Sequence, residues 1–149
     1  MFQKDYILKM IEMFGEMLAG ILGMIRKKQY KKASEAIENA YTELLKQSSS
    51  EIMKIDAEDL HDILQNKYNF NLQQLEIVAG LLYAEAELNL GEKKYVSGKS
   101  DFQKSLTIFK YLDKEQKTYS IEHQNRIAEI ERRIDEISQI ISSRSPDKT

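Results

Sequence analysis

The chain has 149 residues, enough to bury a core within one domain. Its 24 acidic and 22 basic side chains nearly cancel, which excludes a whole-molecule basic field for nucleic acid. It has no cysteine, so disulfides, thiol catalysis and thiolate metal sites are excluded, in keeping with a reducing, cytoplasmic setting.

One proline and six glycines leave few breaks, so long helices are predicted. The first runs from Asp5 to Lys28, where Ile7, Met10, Ile11, Phe14, Leu18, Ile21, Leu22 and Ile25 recur as one helical stripe. Lys9, Glu12 and Glu16 interrupt it, whereas a spanning helix wants about 20 largely uncharged residues; the segment reads as a soluble amphipathic helix. Met13, Met17, Gly20 and Met24 form a second stripe beside the first. Flexible methionines around a glycine notch suit an irregular core gap or an adaptable contact surface. Either later helices cover both stripes, or the second meets a partner, most commonly another copy of the chain in a homodimer.

A second helix is predicted from Tyr30 to Gln47, and a helical turn at 49–54 behind a Ser48–Glu51 capping box. A short helix from Ala57 to Asn66 opens on Asp56 with Asp59 three later, a weaker match to the same cap. Asn71 with Gln74 opens a long helix to Leu90, with Gly91 in the position after a helix that favours glycine. Two more helices are predicted, Tyr95 to Leu112 and Lys117 to Ser142. The last carries Ile127, Ile130, Ile134, Ile137 and Ile141 at steps of 3, 4, 3 and 4, a short heptad seam expected to pack along the preceding helix pair, with self-association the alternative. No segment alternates like a strand. The expected class is all-α, a single domain over residues 1–142 with a disordered tail at 143–149.

An internal repeat supports this division. Tyr30 aligns with Tyr95, Ala33 with Gly98, Ile37 with Phe102, Ala40 with Ser105, Tyr41 with Leu106 and Leu44 with Phe109, each pair 65 residues apart. Small residues let a neighbouring helix approach closely and the large ones fill the groove beside it. The pattern Ala33-x-x-x-Ile37 and Gly98-x-x-x-Phe102, with "LLYAEAELNLGEKKY" before the second copy, resembles tetratricopeptide repeats. The chain departs from that family in lacking tryptophan, in having no proline to close either unit, and in inserting a short helix between units. The resemblance implies two antiparallel helix hairpins over residues 5–47 and 71–112, with a long C-terminal helix closing the stack. The opening "DYILKMIEMFGEMLAGIL" with "KKQYKKASEAI" is also similar to a family of small helical proteins from Firmicutes, which implies a cytoplasmic bacterial protein and no catalytic residue to carry over.

Motifs for chemistry are missing. His61 sits between Asp59 and Asp62 with no second histidine at ligand spacing, and is expected on the surface. His123 lies on the heptad seam as a partly buried polar residue. Asp56, Glu58, Asp59 and Asp62 lack calcium-loop spacing, and Glu85 and Glu87 read as a solvated helix face. The basic cluster Arg26, Lys27, Lys28, Lys31 and Lys32 is explained by a helix C-terminus and by pairing with nearby acids. No phosphate loop or nucleophile elbow is present. The expected function is a non-catalytic protein–protein interaction or scaffold module without cofactor or metal, using Met13, Met17, Gly20 and Met24 or the groove between hairpins. A ligand-binding protein or enzyme with a site between helices is the alternative, and a nucleic-acid-associated regulator comes third.

Overall fold

The computed structural model describes residues 2–115 and 120–144. The predicted tail beyond residue 144, the predicted helix start at Lys117 and the side chain of Ile7 lie outside the described residues. Within them the chain is all helix, with no strand. The helices are α1 (Phe2–Arg26), α2 (Tyr30–Ala40, continued by a π-helical turn over Tyr41–Leu45), α3 (Ser49–Met53), α4 (Leu60–Asn66), α5 (Leu72–Gly91), α6 (Tyr95–Glu115) and α7 (Ile121–Ser143).

α5 occupies the centre because its sequence is apolar on every side: residues from Ile77 to Ala84 are all buried. α1, α2 and α6 pack against it, and α7 lies along α6. Its start is fixed by a reciprocal cap, in which Gln74 N–H donates to the Asn71 side chain at 2.8 Å and Asn71 N–H donates to the Gln74 side chain at 2.9 Å. In α7, Ile130 and Ile137 are fully buried, while Ile127, Ile134 and Ile141 pack half-buried on the core.

The small aligned positions and the Ile37/Phe102 pair are buried in both copies, whereas buried Tyr41 aligns with half-buried Leu106, and half-buried Leu44 with buried Phe109. Ala33, Ala40, Gly98 and Ser105 are all buried, and Ser105 donates its hydroxyl to the Ala79 carbonyl at 2.7 Å. The turns before them also match. Lys28 and Lys93 are both left-handed, with φ of 62° and 64°. Lys28 and Gln29 N–H donate to Ile25 and Met24 carbonyls at 3.0 and 2.8 Å; Lys93 and Lys94 N–H donate to Leu90 and Asn89 carbonyls at 3.0 and 2.7 Å.

Several local expectations are corrected. Gly91 does not take the left-handed position, which falls to Lys93; Gly91 ends α5 and is needed because a Cβ there would stand 2.9 Å from the Tyr30 ring. Ser48 makes no cap bond, and its hydroxyl lies 2.9 Å from that of Ser50. The helix foreseen from Ala57 starts at Leu60, because 57–59 form a turn with Asp59 N–H bonded to the Asp56 carbonyl at 3.1 Å.

Candidate binding groove

A cleft of about 500 Å³ opens between α1 and α7 over α5. Its α1 wall is apolar, formed by Ile11, Phe14, Leu18 and Leu22, with the small residues Gly15 and Ala19 between them. That wall is held by a close approach: a Cβ on Gly80 would stand 2.7 Å from the Phe14 ring and 3.3 Å from Leu18. The opposite wall is polar, with Glu122, Asn125, Arg126 and Glu129 of α7, and Glu76 with His123 deeper in.

Long side chains tie α7 to α5. His123 Nε2–H donates to Glu76 at 2.7 Å, the Arg126 guanidinium lies 4.1 Å from the centre of the Tyr83 ring, and Arg133 Nη2 donates to both oxygens of Glu87 at 2.8 and 3.0 Å. Residue numbers rise together across these contacts, so α5 and α7 run in the same direction. Arg126 also donates to Glu129 at 3.2 Å. The hydrogen bond to Glu76 raises the His123 pKa, against burial, which lowers it. A cationic His123 therefore strengthens the tie between the two helices.

The expected solvated face of α5 is not solvated. Glu87 keeps only 12 % of its side-chain surface and is paired with Arg133. Glu85 is half-buried towards the α2–α6 side, where burial, then Glu38 and Glu92, raise its pKa. Asp101, 4 % exposed, accepts from Asn89 Nδ2 at 2.7 Å. Burial and the nearby Glu85 push the Asp101 carboxyl up to about 7. The Tyr41 hydroxyl in this region is buried without a partner among the described residues. His61 is likewise not a free surface residue: its ring stacks on Tyr111 with centres 4.3 Å apart.

The first-helix surface residues are divided by the fold. Met13 is 58 % exposed and Gly20 is exposed, whereas Met17 and Met24 are half-buried against the core. None of the four lines the groove, which α1 forms with a different face. Among the described residues nothing lies within 4 Å of a Cβ placed on Gly20. Gly20→Ala is therefore expected to raise thermal stability by about 0.5–1 kcal/mol through helix propensity. A loss that grows with protein concentration would instead show a second copy seated on that notch.

Glu76, Arg126 and Arg133 did not stand out in the sequence. A signal was present: Glu76, Tyr83 and Glu87 are spaced 7 and 4 along an otherwise apolar helix, which places polar groups on one line facing another element. His123, Arg126 and Arg133 repeat that line on α7 at steps of 3 and 7.

Comparison of the chain with protein-family models, with curated proteins and with solved structures gives no match in any of the three. Among the described residues no helix is long and apolar enough to cross a membrane, and no cluster of His, Asp and Glu is placed to hold a metal ion. His123 offers the groove no base, since Nε2 is engaged by Glu76 and Nδ1 is buried. What the cleft presents is an apolar wall facing a charged one, which suits binding an amphipathic surface.

Proposed function

We propose that this protein is a non-catalytic protein-interaction module on a tetratricopeptide-like plan, holding a segment of a partner protein in the groove between α1 and α7. The observation that carries the reading is the groove itself, where half-exposed Leu18 and Leu22 face a row of charged α7 side chains. The repeated turn geometry supports the plan. So does the placement of the two aligned tyrosines: Tyr30 meets the end of α5 at Gly91, and Tyr95 lies 5.0 Å from the Arg144 guanidinium at the end of α7. Each hairpin thus presents its turn tyrosine to the next helix of the stack, which leaves α1, α5 and α7 side by side as one lining surface.

A photo-crosslinking amino acid at Ala19, inside the groove, tests this in lysate of the source cells. Discrete protein adducts are expected from position 19 and not from exposed Glu43 at the other end of the hairpin. Equal adducts from both positions, or none from position 19, would reject the groove as the contact surface.

A further inference from the structure

We propose that the occupant of this groove is an amphipathic helix with lysine or arginine beside its apolar face. The inference rests on the groove reading above and adds the chemistry of the partner.

Charge is the first argument. Among the lining residues the acids are Glu76, Glu122 and Glu129, against Arg126 and the titratable His123. Arg126 and Glu129 compensate one another at 3.2 Å, as His123 and Glu76 do at 2.7 Å, so the uncompensated charge of this wall is Glu122. Glu122 is exposed at the groove mouth with no ion pair among the described residues. On the α1 side, helical spacing places the exposed Glu12 and Glu16 beside Gly15 and Ala19, so that rim is acidic as well. Apolar surface between two acidic rims is complementary to an apolar stripe flanked by cations.

Shape is the second. Gly15 and Ala19, four residues apart, occupy adjacent places on the groove face of α1, and none of the described residues comes within 4 Å of a Cβ built on Gly15. Small residues at that spacing let another helix axis come close, and Ile11, Leu18 and Leu22 then pack into the grooves of the incoming helix. An incoming helix meets its apolar anchors at three- and four-residue spacing, as these positions on α1 are themselves spaced.

The test uses two fluorescein-labelled helical model peptides, one leucine–lysine and one leucine–glutamate, read by fluorescence anisotropy against the folded chain. The leucine–lysine peptide is expected to bind at least about tenfold more tightly than its acidic counterpart, with the difference shrinking as salt is added. Ala19→Trp, which fills the groove from an exposed position, is expected to weaken it about tenfold. The double change Glu122→Gln with Glu129→Gln is expected to weaken it about threefold to tenfold, while Glu43→Gln, on the exposed side of the π-helical turn, leaves it unchanged. Preference for the acidic peptide, or equal binding of both, when abolished by Ala19→Trp, would overturn the basic-helix assignment and leave the groove reading standing. Binding that ignores Ala19→Trp and the glutamate changes, or no binding of either peptide, would overturn the proposal.

Discussion

Gly80→Val is expected to destabilise the protein by about 3 kcal/mol, seen as a fall in Tm of about 10 °C by circular dichroism. Gly80 lies in the most buried stretch of α5, directly under α1. Even a single Cβ there would lie 2.7 and 2.8 Å from two atoms of the Phe14 ring, and 3.3 Å from Leu18. Phe14 is 5 % exposed, and its ring borders the groove, the one side on which it could yield. The overpacking must therefore either lift α1 from α5 or drive the Phe14 ring out of its packed position into the groove, and both disturb the groove wall. Phe14→Ala alone is expected to cost about 3–5 kcal/mol through the cavity it leaves. The double variant should cost clearly less than the sum, because the valine occupies part of the space vacated by the ring. Full additivity would show that the two residues do not meet. A neutral Gly80→Val would show that α1 does not rest on α5 through this contact, and the groove wall would have to be redrawn.

Asp101→Asn is expected to stabilise the protein at pH 8 by about 2–4 kcal/mol and to leave it nearly unchanged at pH 4. Burial and the neighbouring Glu85 raise the Asp101 carboxyl from 3.8 to about 7, while the Asn89 hydrogen bond and Lys104 pull the other way. The folded state therefore holds a proton that the unfolded chain releases near 3.8. Between that value and about 7 the native state binds more protons, so stability falls as pH rises through this window. The full shift corresponds to about 4 kcal/mol, and asparagine avoids it while still accepting from Asn89. Chemical denaturation at pH 4, 6 and 8 checks the difference. Parallel curves for wild type and variant would show that Asp101 titrates normally. His123 has the same sign: its pKa is raised by Glu76, so its contribution is complete below 6.5 and is lost as pH rises through the folded value. A slope that persists above 6.5 in the Asp101→Asn protein belongs to that pair or to Glu85, whose carboxyl pKa is also raised by burial.

The two variants probe the same helix from opposite sides. Gly80 reports on the α1 side, which carries the groove, and Asp101 on the contact with α6. Weakened binding in Gly80→Val together with retained binding in Asp101→Asn is the pattern expected if α1 must rest on α5 to build the site.

Helical class and most helix limits followed from the sequence alone, because periodicity and capping act over a few neighbouring residues. The Asn71–Gln74 cap, the isoleucine seam of α7 and the small-residue slots at Ala33 and Gly98 are all of this local kind. The repeat spacing of 65 was legible too, since it compares the chain only with itself. What tertiary structure decided is which face of each helix meets which neighbour. Gly91 illustrates the limit: a glycine after a helix suggested a left-handed turn, yet its role is to admit the ring of Tyr30, sixty-one positions earlier. Glu85 and Glu87 show it again, since two acids in "YAEAEL" look solvated until Arg133 and Asp101 arrive from other helices. The methionine stripe was visible as a pattern, but only packing separates exposed Met13 from half-buried Met17 and Met24. The groove could not be read in advance for the same physical reason: it is a space between helices, and its charge pattern exists only once distant residues are brought to its two walls.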